Sequence, residues 1–174
     1  VFSMGPYTRI GYDITSPQED PVLGRYNFTY SGEGGYNRAS GGIGGMVIKN
    51  AENQLMLGIQ ANYYFGFSQT SRAVTDFVDD ATVTSSKMIN RTNIKDLAVD
   101  FGVLYKRKLK NDTWISAGLN FKPGSDISAT NQQLSYTYRP SGLNDNIIDT
   151  VVESTQDGTV KLPTEISAGL AIQF

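Results

Sequence analysis

Residues Gln54 to Ser68 read QLMLGIQANYYFGFS. Every second residue from Leu55 gives Leu55, Leu57, Ile59, Ala61, Tyr63, Phe65 and Phe67, while the residues between them are Met56, Gly58, Gln60, Asn62, Tyr64, Gly66 and Ser68. A period of two belongs to a strand, because successive side chains of an extended backbone point to opposite faces. Strands of water-soluble domains commonly run ~5 or 6 residues, and this alternation is about twice as long, enough to cross a bilayer at a tilt. Its apolar face is expected to meet lipid and its polar, glycine-rich face a lumen.

Other segments repeat the pattern. Ile94 to Leu109 places Leu97, Val99, Phe101, Val103 and Tyr105 against Asp96, Ala98, Asp100, Gly102, Leu104 and Lys106. Thr113 to Pro123 opposes Ile115, Ala117, Leu119 and Phe121 to Trp114, Ser116, Gly118, Asn120 and Lys122. The final run sets Ile166, Ala168, Leu170, Ile172 and Phe174 against Glu165, Ser167, Gly169, Ala171 and Gln173. Near the start, Thr8, Ile10, Tyr12 and Ile14 alternate with Tyr7, Arg9, Gly11 and Asp13, which predicts a strand with Arg9 and Asp13 facing inward. Trp114, just past a turn, stands where an interfacial aromatic would, although its phase puts it on the lumen side.

Turns separate these strands in an alternating order. NAEN (Asn50 to Asn53) and KND (Lys110 to Asp112) are short, whereas long polar segments occupy residues around 16–33, 69–93 and 124–162. Outer-membrane barrels have this asymmetry, with short periplasmic turns and long external loops. The expected fold is therefore all-β, a transmembrane antiparallel β-barrel of outer-membrane type occupying residues 1–174, with those three segments as extracellular loops. About six full-length strands can be counted, or eight if the runs after Ile127 join the wall, and six are too few to close around a packed interior. The chain is thus expected to be part of a larger wall, with a small eight-stranded barrel as the alternative.

Composition narrows the chemistry. The 174 residues include no cysteine and no histidine, with 15 basic and 17 acidic groups giving a net charge of -2. Disulfides, thiolate sites, histidine-ligated zinc and a Ser-His-Asp triad are excluded within this chain, and near neutrality gives no reason to expect nucleic acid. No enzyme activity, cofactor or metal is expected. The opening VFSMGPYTRI has neither the charged nor the apolar region of a signal peptide, so a cleaved leader or a piece of a longer chain is expected.

Two local patterns have a functional and a structural reading. The glycines of GGYNRASGGIGGMVIK (Gly34 to Lys49) suggest a phosphate-binding loop, but such a loop opens a helix, and here β-like residues and a turn follow. A strand thinned by glycine where another backbone comes close is the favoured reading. Asp79 and Asp80 suggest calcium, but adjacent carboxylates on a strand diverge and lack the spacing of a calcium loop, so a solvated face is favoured.

KLPTEISAGLAIQF (Lys161 to Phe174), GPYTRIGYDI, GEGGYNRASGGIGG, LGIQANYYFG and WISAGLNFKPG together resemble FadL-type outer membrane transporters of the Bacteroidota branch. That resemblance implies a barrel of about fourteen strands, of which this chain would be a middle section, since the family's NPA signature and hatch segment are not found in it. It further implies passage of hydrophobic small molecules such as long-chain fatty acids, or, as the second reading, a non-transporting scaffold or accessory subunit of an outer-membrane secretion or assembly machine. Expected partners are outer-membrane lipid, a hydrophobic ligand and other envelope proteins in a complex. On the residue pattern alone, the lumen-facing candidates are Arg9, Asp13, Gln60, Asn62, Tyr64, Asp96, Asp100, Lys106, Asn120 and Lys122. The lipid-facing candidates are Leu57, Ile59, Phe65, Val99, Phe101, Val103, Leu119, Phe121 and Leu170. Asp96, Asp100 and Lys106 are expected to brace the wall rather than to catalyse.

Overall fold

The computed structural model describes residues 1–21, 24–75, 84–109, 113–141 and 144–173. They form eight strands and no helix: β1 Phe2–Asp20, β2 Gly24–Lys49, β3 Asn53–Thr75, β4 Ser85–Lys108, β5 Trp114–Lys122, β6 Ser125–Ser141, β7 Asn144–Leu162 and β8 Glu165–Gln173. All pair antiparallel in one sheet that curls into a half-barrel.

The eight strands build six wall positions. β4 pairs with β5 along its C-terminal part, Phe101↔Phe121 to Lys108↔Trp114, and with β6 along its N-terminal part, Ser85↔Tyr138 to Ile94↔Ala129. β5 pairs with β8 up to Lys122↔Glu165, and the β6–β7 ladder resumes at Ser125↔Leu162 without a slip. β5 with β6, and β7 with β8, are therefore two long strands, interrupted opposite each other at Pro123–Gly124 and Pro163–Thr164. Proline has no N–H to give to a ladder. The gap is closed by a side chain, as the Gly124 N–H donates to Thr164 Oγ1 at 3.0 Å.

A second irregular line crosses β1 to β3. β1 slips register between Pro6 and Thr8, and Gly35 and Gly66 have φ of 151° and 136°. A Cβ on Gly66 would collide with the Gly35 carbonyl, and one on Gly35 with the Thr8 carbonyl, so only glycine lets the three backbones approach this closely. The glycine-rich stretch is strand throughout, as β2 runs from Gly24 to Lys49.

Most of the three segments expected as loops is also strand. Residues 16–20 and 24–33 extend β1 and β2, 69–75 and 85–93 extend β3 and β4, and β6 and β7 fill nearly all of 124–162. β2 alone has 26 residues, a span of roughly 85 Å at ~3.3 Å per residue, well beyond bilayer thickness. Apart from the row Tyr26, Phe28 and Tyr30 on β2, these extensions are largely polar on both faces, so apolar alternation is mostly missing while backbone pairing continues. Asp76, Asp79, Asp80, the KND turn and Phe174 lie outside the described residues.

The core sits inside the curl. Tyr64, Ile94, Ala98 and Ile127 are buried together, with Tyr36, Ala129 and Leu162 against them. Ile127, at 1% exposure, contributes about 1.5–3 kcal/mol by burial. Tyr7 of β1 meets Tyr64 of β3 edge to face at 5.1 Å, reaching across β2, and the Arg38 guanidinium lies over the Tyr7 ring.

Candidate functional site: a polar hollow behind an apolar band

Strand alternation and register assemble the inner face row by row. Gln60 is opposite Asp100, Asn62 is opposite Ser40 and Ala98, and Asn120 is opposite Gly102. Gln60, Asp100, Asn120 and Lys122 thereby line one depression of about 450 Å³ together with Arg38. Its floor is bare backbone, because Gly44, Gly58 and Gly102 stand side by side across β2, β3 and β4. An adjoining trough of about 710 Å³ runs on over Met46, Met56, Leu104 and Gly118. A polar end with two cations and a carboxylate thus passes into an apolar end with a flat floor.

Beside the depression, Asn62 is fully buried. Its Oδ1 accepts from Ser40 Oγ at 2.7 Å and from Gln60 Nε2 at 2.8 Å. Its Nδ2 has no hydrogen-bond partner, an arrangement that costs about 1–3 kcal/mol if the group stays dry. Lys122 Nζ donates to Glu165 Oε2 at 2.7 Å, tying β5 to β8 below the Pro123 interruption.

The other candidates are placed elsewhere. Asp96 lies where the β4 ladder changes partner from β5 to β6. Its Oδ2 accepts from the Ser128 N–H and hydroxyl at 2.9 and 2.8 Å and its Oδ1 from the Leu97 N–H, so the carboxylate replaces ladder bonds. Lys106 is in register with Gln54 and Ser116 at the short-turn end, away from the depression. Arg9 and Asp13 are exposed on β1. The slip at Tyr7 sets Thr8 opposite Tyr36, a core-facing residue, so strand phase puts Arg9 and Asp13 on the face away from Tyr36 rather than inward.

Arg38, in the hollow, and Ser40, beside it on Asn62, escaped sequence reading, because the glycines around them erase face alternation. Counting back through the tight NAEN turn does not recover them either, because the register shifts between Met46 and Ile48, and straight counting would set Asn62 opposite Gly41 and Tyr64 opposite Ala39.

The opposite face is apolar. Leu57 and Ile59, each 45% exposed, are joined there by Phe101, Val103, Leu119, Phe121 and Leu170, all exposed, and by half-buried Phe65 and Val99. Isolated exposed hydrophobic residues are ordinary, but a continuous band over the four neighbouring strands β3, β4, β5 and β8 marks an interaction surface.

An open antiparallel wall with an apolar outer band and a polar hollow defines the class, a curled β-sheet protein of half-barrel form. The family model for BamG matches residues 1–174, and the chain belongs to the BamG family, which is named for the outer membrane assembly machinery. Nothing among curated proteins matches the chain. The family match overturns the FadL-type resemblance, and the barrel of about fourteen strands, the hatch and the fatty-acid substrate that it implied lose their basis with it. The motifs quoted for it are short runs of glycine, small and aromatic residues, which any outer-membrane-type strand requires.

Proposed function

We propose that this chain forms part of the wall of an outer-membrane β-barrel and serves there as a non-transporting accessory or scaffold subunit of the machinery that assembles outer-membrane proteins. The family match over residues 1–174 carries the functional half of this reading. The exposed band through Leu57, Phe101, Leu119 and Leu170 supports the location, since hydrocarbon is the solvent such a band needs. On this reading Gln60, Asn62, Tyr64, Asp100, Asn120 and Lys122 face a wet lumen, and passage of hydrophobic molecules is not the role. Other envelope proteins are the partners, bound through surfaces of the wall.

Affinity purification of the tagged protein from detergent-solubilised outer membranes tests this. Recovery of outer-membrane assembly components in fixed proportion supports the accessory role. Recovery of the barrel alone, together with a hydrophobic ligand in its hollow, would refute it.

A further inference from the structure

On β4, Arg91, Asn93 and Lys95 share the phase of Leu97 and Phe101, and the same face ends in Arg107. The ladder with β3 keeps one register throughout. Cations therefore stand at both ends of the apolar stretch from Leu97 to Tyr105. From Lys95 to Arg107 the strand runs ~40 Å at ~3.3 Å per residue, which a tilt of about 40° reduces to ~30 Å along the bilayer normal, the thickness of the hydrocarbon.

The two ends differ. Arg107 is a single exposed cation in register with Asn53 and Ile115. At the other end, donors follow one another along the strand. The Arg91 guanidinium lies over the Phe67 ring, 4.0 Å from its centroid, and its Nε donates to Asn93 Oδ1 at 3.3 Å. Stacking holds the arginine while its remaining N–H groups stay free to donate. With its oxygen turned to Arg91, Asn93 keeps its Nδ2 for another acceptor, and Lys95 is exposed on the far side of it.

Among the described residues neither Arg91 nor Lys95 is in an ion pair. The acids around them are engaged elsewhere. Glu33 on β2 and Asp157 on β7 are each two strands from β4, about 10 Å, and accept from Gln69 Nε2 and Thr130 Oγ1, both at 2.9 Å. Asp96 is taken up by Ser128 and the Leu97 N–H. At this level β4 is paired on both sides, Phe67↔Asn93 and Asn93↔Thr130, so the donors lie within the wall and not at an edge.

We propose that Arg91, Asn93 and Lys95 bind the phosphate of a phosphomonoester lipid at the external rim of the apolar band, its acyl chains lying against Leu97 and Phe101. A phosphomonoester carries about −1.5 to −2 charges at pH 7 and three strong acceptor oxygens, which answers two cations and an amide. A choline phosphodiester brings its own cation and answers them less well. The site requires the band to lie in lipid and so rests on the membrane-wall reading.

Native mass spectrometry of the full chain, released from detergent containing dioleoyl phosphatidic acid or dioleoyl phosphatidylcholine, tests the site with two lipids of identical chains. Phosphatidic acid should be retained about tenfold more, and the double variant Arg91→Gln, Lys95→Gln should lose that preference while Arg107→Gln keeps it. Asn93→Asp, which sets a carboxylate among the donors, should lose it as well. Equal retention of the two lipids, an unchanged double variant or an equal loss in Arg107→Gln would overturn the proposal. So would displacement of phosphatidic acid by inorganic phosphate at equal concentration, which assigns the donors to a free anion. Labelling of Leu57→Cys, in a chain with no other cysteine, by a water-soluble maleimide in phosphatidylcholine vesicles separates the two levels. Protection of that cysteine with no lipid preference sinks the phosphate site alone, whereas free labelling sinks the membrane-wall reading beneath it.

Discussion

The Gly124 N–H donates to the Thr164 hydroxyl at 3.0 Å, a side-chain bond standing where the long wall hairpin loses backbone bonds to Pro123 and Pro163. A Cβ at Gly124 would stand 3.1 Å from that hydroxyl and 3.2 Å from the Leu162 carbonyl. Thr164→Val, which keeps shape and removes the acceptor, should destabilise the protein by about 1 kcal/mol, the net worth of one such bond. Thr164→Ser should be close to neutral. Urea unfolding of the reconstituted protein, followed by the fluorescence of Trp114, measures both, and an equal loss in the two variants would show that the methyl group rather than the hydroxyl matters.

Legibility of the fold followed the solvent on each face. Leu55 to Phe67 and Leu97 to Tyr105 were readable as strand because one flank is apolar and the other polar. Gly24 to Glu33 carries the row Tyr26, Phe28 and Tyr30 on one flank and was legible as strand to that extent, whereas much of Ser125 to Leu162 is polar on both flanks and its length as strand comes from backbone pairing. The meeting of Gln60, Asp100, Asn120 and Lys122 in one hollow was implicit in their shared phase. Arg9 and Asp13 were misplaced because a one-residue slip at Tyr7 reverses every later side chain of β1, and a slip leaves no mark in residue type. Family assignment failed for the converse reason: short glycine and aromatic patterns report the needs of a strand in a wall, not descent.

Glycines on this sheet divide into two kinds, which gives a paired prediction. Gly66 has φ 136° and backbone in the way of a Cβ, whereas a Cβ at Gly102 meets nothing within 4 Å. Gly66→Ala should cost at least about 1–3 kcal/mol for the strained backbone alone, before the collision with the Gly35 carbonyl is counted. Gly102→Ala should change stability by no more than about 0.5 kcal/mol. Urea midpoints of the two variants check this, and similar values would remove the close approach of β1, β2 and β3 as the reason for glycine at Gly35 and Gly66.

The Lys122–Glu165 pair is short at 2.7 Å, yet its side chains remain 33% and 50% exposed. Water screens such a pair, and a double-mutant cycle with Lys122→Met and Glu165→Gln should give a coupling of about 0–1 kcal/mol. The coupling should fall further in 1 M salt, where the Debye length is about 3 Å. A coupling that is larger and indifferent to salt would mean that the hollow is dry.

Val103 and Gly102 are neighbours on β4 that face opposite sides of the wall, Val103 on the apolar band and Gly102 on the floor of the hollow. An arginine has open space at either position, because Val103 is 39% exposed and nothing crowds a Cβ at Gly102. If both faces met water, both substitutions would be tolerated to a similar degree. With hydrocarbon on one side only, Val103→Arg should cost about 2–4 kcal/mol near the bilayer midplane, and Gly102→Arg, which points into a polar lumen, under about 1 kcal/mol. Reversible urea unfolding from phosphatidylcholine vesicles measures the difference. The two residues share a strand and nearly the same depth, and parallel Gly102→Ala and Val103→Ala variants subtract the difference in strand propensity between glycine and valine. What remains is the solvent on each face, so a difference near zero or of opposite sign would show that the Leu57, Phe101 and Leu119 band does not lie in lipid.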